Sequence, residues 1–161
     1  MAIVMVRIDD RLIHGQVLVG WCPNINPDHL ILCNDQVAQS EWECEIYKDA
    51  ASEYKTSICT VAETAKILKR EESDDEKIFL IVDSPKVIVR LIQLGLNFDK
   101  VVIGGMHYYP GKRKITNFIF IDDEDLQDFK MLARHNIILE GKDVPNSKPI
   151  DVASILELKK M

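Results

Sequence analysis

Ile78-Phe79-Leu80-Ile81-Val82-Asp83-Ser84-Pro85 is the stretch that decides the fold. Its unbroken apolar run has the pattern of a strand covered on both faces. Ser84 then stands at a helix cap with Pro85 in the first turn. Val87, Leu91 and Leu94 follow as the inward face, and Gly95 lies past the end.

The same alternation continues in both directions. Toward the amino terminus, residues 3–8 read as a buried, β-branched strand, 16–21 as a short helix, 23–28 as a turn and 29–33 as a second strand. Residues 38–52 have helical spacing with Trp42, Ile46 and Tyr47 inward, 56–60 form a short strand, and 61–69 an amphipathic helix. Toward the carboxyl terminus, residues 100–103 form a strand, with Gly104-Gly105-Met106 opening the loop after it. Residues 115–121 are extended, Asp122 caps a helix carrying Leu126, Phe129 and Leu132, 136–139 form a last strand, and 150–159 a closing helix. Strands alternating with helices predict one α/β domain over residues 1–161. Its sheet should be mostly parallel and twisted, with about seven strands and helices on both faces. Ligands bind such sheets beyond the carboxyl ends of the strands, where strand order reverses.

The loop after the first strand opens at that edge. It reads Arg7-Ile8-Asp9-Asp10-Arg11-Leu12-Ile13-His14-Gly15-Gln16-Val17. His14 sits where a strand ends and a helix begins, beside amide N–H groups that lack a partner inside the helix and at the positive end of its dipole. Gly15 lets the backbone approach a ligand closely. Arg7 and Arg11 supply the fork geometry that suits a tetrahedral phosphate. Phosphoryl transfer asks the protein mainly to position and to neutralise, which such a loop can do without a metal. The bland reading is a structural histidine with arginines paired to Asp9 and Asp10.

Arg7 to Val17 resembles the active-site segment of the IIB subunits of the mannose/fructose/sorbose family of the phosphoenolpyruvate-dependent sugar phosphotransferase system. Trp21, Cys33-Asn34-Asp35 with Val37-Ala38, and Ile103-Gly104-Gly105-Met106 are similar to that family's landmarks, in order and spacing. The resemblance implies a phosphotransferase without cofactor or metal, a protein-phosphohistidine–sugar phosphotransferase. In it, a IIA histidine phosphorylates Nδ1 of His14, which passes the group to a sugar moving through membrane subunits IIC and IID. Arg11, Arg7 and Asp10 are the expected catalytic companions, with Asp10 orienting the imidazole. Gly15, Gln16, Ser84, Gly104 and Gly105 are the expected phosphate-binding positions. Ser84 is first of all a plain cap, and the glycines first of all a turn. The rival from another class is a regulatory or binding module on the same scaffold, governed by its phosphorylation state.

His107 is the rival histidine, read as a rim or partner-contact residue, and Lys112-Arg113-Lys114 as a solvated turn that could steer an acidic donor if it bordered the site. His29 and His135 fall at element ends, where structural roles prevail. The net charge of −6 argues against nucleic acid as a partner. No run approaches membrane-spanning length and no leader pattern precedes the first strand, so the expected place is the cytoplasm; the resemblance implies peripheral association with the membrane through transporter subunits. Cys22, Cys33, Cys44 and Cys59 lack zinc-ligand spacing and read as reduced thiols. An exposed edge strand would allow two copies to pair as a homo-oligomer.

Overall fold

The computed structural model describes residues 2–70 and 75–158. Part of the expected acidic loop, residues 71–74, and Lys159 of the expected closing helix lie outside the described residues.

The buried run found at residues 78–82 forms β4 (Lys77–Val82), next to the amino-terminal strand β1 (Ala2–Asp9). Around this pair lie β2 (His29–Cys33), β3 (Lys55–Cys59), β5 (Lys100–Gly105), β8 (Ile138–Gly141) and β9 (Ile150–Asp151). The seven-stranded sheet has the order β3-β2-β4-β1-β5-β8-β9, parallel except for β9 against β8. β1 is the middle strand. The chain leaves it for β2 and β3, returns to β4, and crosses to β5 on its other side, so strand order reverses around β1. A separate antiparallel hairpin, β6 (Arg113–Thr116) with β7 (Ile119–Ile121), closes over the end of β5, where Met106 exchanges backbone bonds with Phe118 and Phe120.

Two cores flank the sheet. On one face Val6, Ile8, Leu80 and Ile103 pack against α4 (Val61–Lys69), α5 (Pro85–Gln93), α6 (Asp123–Arg134) and α7 (Val152–Ile155). On the other, Leu30, Leu32, Phe79 and Ile81 meet Val17 and Trp21 of a helical stretch after β1, together with Val37 and Ala51. Phe79, Leu80 and Ile81 are fully buried, each worth roughly 1.5–3 kcal/mol. Period-two alternation along β1 sends Val6 and Ile8 to the first core and Arg7 and Asp9 to the second side.

Several expectations are corrected. The helix expected over residues 38–52 is shorter, α3 (Glu41–Ala50), because Ser40 caps its amino end, and Ala38 instead ends a separate short helix, α2 (Asp35–Ala38), capped by Asn34. Of the three residues expected inward, Tyr47 packs against the second core beside buried Ala51, whereas Trp42 and Ile46 are 66% and 52% exposed. Leu94, likewise expected inward, is 41% exposed beyond the end of α5. Gly104 and Gly105 belong to β5, not to the loop after it. The extended residues 115–121 form part of the hairpin, and the closing segment begins as β9 before the short helix α7. The turn expected after Trp21 is helical as far as Ile25, and Asn26, at φ +49°, ends it.

Candidate functional site

β1 ends at Asp9, and the chain turns sharply, Leu12 N–H donating to Asp9 O at 2.9 Å. Leu12 takes φ +60°, a left-handed conformation unusual for this residue, and its buried side chain secures the turn. His14 follows. A π-wound stretch, Gln16–Trp21, then runs without a break into α1 (Cys22–Ile25). Such wide turns are rare and frequent at functional sites. Leu18 N–H donates to His14 O, so the helix opens directly behind the histidine.

The His14 side chain is 19% exposed. Its Nδ1 donates to Leu12 O at 2.8 Å, while Nε2 lies 3.9 Å from Asp9 Oδ2 and has no hydrogen-bond partner. The resemblance implied phosphorylation at Nδ1, and in this resting arrangement that nitrogen is engaged with the backbone. Asp9, fully buried, is the hub. It accepts from the Arg11 backbone N–H at 3.1 Å, from Arg11 Nε at 3.2 Å and Nη2 at 3.2 Å, and from Arg7 Nη2 at 3.5 Å. The expected orienting carboxylate was Asp10. The structure places Asp10 on His107 instead, accepting from its backbone N–H at 2.7 Å and from its Nδ1 at 2.5 Å. The physical reason is strand parity. Asp9 shares the face of Arg7, and Asp10, just past the strand, turns the other way.

Arg7 does not join Arg11 as a second open fork. It is fully buried, with Nη1 donating to Lys142 O and Nη2 to Asp143 O, both at 2.9 Å. Its guanidinium stacks over Trp21 at 4.6 Å, and Trp21 Nε1 donates to the same Asp143 carbonyl at 3.1 Å. Burial lowers its pKa to about 10 against the pull of Asp9, which leaves it charged at neutral pH. Arg7 thus fastens β1 to the loop after β8 and compensates Asp9. Arg11, with 43% of its side chain exposed, is the guanidinium that reaches the surface, and its Nη1 has no hydrogen-bond partner among the described residues.

The expected phosphate positions separate in the same way. Gly15 is exposed, in helical conformation, with open space where a Cβ would stand. Gln16 is half-buried and folds its amide over Gly20. Ser84 is at the amino end of α5 but makes no side-chain cap bond, a departure from the plain cap. Val82 pairs with Ile8, so Ser84 follows β4 at the level where Asp10 follows β1. Gly104 and Gly105 make room for neighbouring protein groups, and both also line the crevice beside the loop. A Cβ on Gly104 would overlap the Arg7 guanidinium, and one on Gly105 would stand 3.1 Å from Asp9 Oδ1.

Beside the loop opens a crevice of about 270 Å³, walled by Arg11, Gln16, Gly105, His107, Phe118 and Asp143. His107 borders it, and Lys112, Arg113 and Lys114 do not. Lys112 is drawn to Asp125 at 3.1 Å and Arg113 to Asp123 at 3.1 Å, both in the first turn of α6. A larger hollow, about 500 Å³, lies at the opposite, amino ends of β1 and β5 around Ile3, Val4 and Lys100, away from His14. No helix among the described residues is long and apolar enough to cross a membrane. The cysteines are free thiols, and burial pushes those of Cys22, Cys33 and Cys59 up to about 11.

Sequence reasoning left Asp9, Trp21 and the carbonyls of Lys142 and Asp143 out of the set of site residues. Parity along β1 was the available sign for Asp9; nothing local pointed to carbonyls more than a hundred residues away.

Known proteins carry the same arrangement of elements. The crystal structure of the IIBSor domain of the Klebsiella pneumoniae sorbose permease superposes with a TM-score of 0.91 at 28% identity, covering 98% of this chain and 97% of that one. The fructose-specific EIIB component of Bacillus subtilis is 32% identical over 157 residues, 97% of this chain and 96% of its own. The mannose-specific EIIAB component of Escherichia coli K12 is 30% identical over 161 residues, 98% of this chain but 50% of that longer protein. Residues 3–161 match the family described as the PTS system sorbose subfamily IIB component. The chain therefore belongs to the sorbose-subfamily IIB components of the sugar phosphotransferase system, a family whose general role is sugar phosphotransfer.

Proposed function

We propose that His14 is a temporary carrier of a phosphoryl group. It accepts the group from a phosphohistidine of a IIA subunit and yields it to a sugar presented by membrane subunits IIC and IID, at the inner face of the membrane. The observation that supports this most is the environment of His14: a partly exposed imidazole set before a helix opening, its buried Nε2 facing Asp9, which also pairs with the surface arginine Arg11.

In the first step the imidazole attacks phosphorus in line with the departing IIA nitrogen. The amides at the start of the helix and the outer edge of Arg11 face the charge that spreads over the peripheral oxygens. The open space at Gly15 admits the group. Attack through Nδ1 requires that atom to release its proton and the Leu12 carbonyl. A proton on Nε2, directed at Asp9, gives the tautomer that frees it. In the second step the same groups hold the phosphoryl while a sugar hydroxyl attacks. A carrier must keep its transfer potential, so Arg11 has to favour the transition state over the resting adduct. Arg7 acts at one remove, by holding Asp9 and Trp21 in place.

The test combines the protein with the general phosphotransferases, a IIA donor and membranes bearing IIC and IID, and follows sugar phosphate. His14→Ala should abolish its formation, and Arg11→Ala should slow it by about tenfold to a hundredfold without loss of fold. Undiminished sugar phosphate from the His14 variant would refute the carrier role.

A further inference from the structure

α3 turns only one side to the protein. Tyr47 packs against the second core, which also holds Val37 of α2 and Leu12 and Ile13 of the loop that carries His14. Helical spacing sends Trp42, Glu45, Ile46 and Asp49 to the other side, because positions three, four and seven apart share a face. All four are exposed, and so is Glu41 at the border of this face. Glu41, Glu45 and Asp49 have no ion-pair partner among the described residues. The face is therefore an apolar pair, Trp42 with Ile46, inside a rim of unpaired carboxylates.

Its place in the fold matters as much as its chemistry. β2 runs parallel to β4 and β4 to β1, so the chain leaves β2 at the edge of the sheet where the loop after β1 also opens. α2 and the first turn of α3, with Trp42, follow directly at that edge. A partner seated on this face is held on the side of the molecule from which His14 is reached.

We propose that the outer face of α3 is a docking surface for a basic cytoplasmic loop of the membrane subunits IIC and IID. Trp42 and Ile46 are its apolar anchor, and Glu41, Glu45 and Asp49 its charged rim. The proposal rests on the carrier role of His14, which requires the chain to meet those subunits. The charges name the occupant. Loops on the cytoplasmic side of membrane proteins carry an excess of Lys and Arg, and α3 carries Glu41, Glu43, Glu45 and Asp49 against the single cation Lys48. Opposite charges steer the encounter and set its orientation, while a buried indole supplies the lasting contact. A lipid surface fits poorly, since the anionic headgroups of the inner leaflet repel the same rim. A second copy fits poorly as well, because a two-fold contact would set these carboxylates against their own kind.

The experiment uses the full chain with membranes that bear or lack IIC and IID. Sedimentation should retain the wild type on membranes bearing them, and the double variant Trp42→Ser, Ile46→Ser should bind at least about tenfold more weakly. The double variant Glu45→Lys, Asp49→Lys should weaken binding by about threefold or more at low salt and remove most of its salt dependence. In transfer to sugar, the KM for the phosphorylated chain should rise to match in both variants with kcat kept, while labelling of His14 by a IIA donor stays within about twofold of wild type. Retention of the wild type no greater on membranes bearing IIC and IID than on membranes lacking them, or equal retention of wild type and variants, overturns the proposal. Slowed labelling with normal discharge also overturns it and makes the IIA donor the occupant. A wild-type dimer in analytical ultracentrifugation that the Trp42→Ser, Ile46→Ser variant abolishes does so too, in favour of a second copy. A wild-type protein that takes no label on His14 overturns the carrier role, and sedimentation then reads the docking face by itself.

Discussion

The guanidinium of Arg7 fills the space into which a Cβ on Gly104 would project. Arg7 leaves the middle strand at a point where β5, its neighbour, has no side chain, and this absence lets a fully buried cation reach the carbonyls of Lys142 and Asp143. Gly104→Ala should therefore lower stability by about 3 kcal/mol, since neither strand can yield and the displaced group is charged. Urea denaturation checks it; a change under 0.5 kcal/mol would show that Arg7 has another place to go.

Asp9 is the counter-charge that makes this burial tolerable. Breaking a buried pair from one side leaves the other charge uncompensated. Asp9→Asn should cost about 3 kcal/mol, and Arg7→Met combined with it should cost clearly less than the sum of the two single changes. Simple additivity in the double-mutant cycle would mean that the two residues do not act as a pair.

A second polar cluster lies at the far end of the sheet. His29, buried at the start of β2, bonds Glu76 through Nδ1 at 2.9 Å and Ser57 through Nε2 at 2.7 Å, and Lys55 reaches Glu76 at 2.9 Å. The bond from Lys55, then that from His29, holds the Glu76 carboxyl below its ordinary range. A carboxyl with a depressed folded pKa contributes its stability above the unfolded value, about 4.3, and loses it as pH falls through the lower folded value. Glu76→Gln should thus be less stable than wild type by about 1 kcal/mol at neutral pH, with the gap closing in acid. Thermal melts across that range measure it, and a gap that widens in acid would contradict the assignment.

Exposure makes the opposite prediction for α3. Trp42 is 66% exposed, so Trp42→Ser should change stability by less than about 0.5 kcal/mol. A loss of several kcal/mol would place the indole in a core.

Strand positions were legible because the buried runs at residues 29–33 and 78–82 have no other use for so many adjacent apolar side chains. The placement of His14 between β1 and a helix followed from local pattern. The phase of α3 was legible only at Tyr47, because Trp42 and Ile46 look like its inward companions until tertiary packing leaves them outside. The different tasks of Arg7 and Arg11 were hidden as well. Their residue type is the same, and only the carbonyls brought in after β8 distinguish a buried tie from a surface group. Which of two adjacent carboxylates meets His14 was open to a parity argument along β1, whereas the contact of Asp10 with His107 joins positions 97 residues apart and left no local trace.

Locating the phosphate decides whether His14 is the carrier. The protein is phosphorylated by a IIA donor, kept at neutral to alkaline pH to preserve an acid-labile phosphoramidate, and mapped by fragmentation mass spectrometry. One phosphoryl group per chain is expected, on His14, and none on the His14→Ala variant. Phosphate on His107, or on any residue outside the loop after β1, would contradict the carrier role.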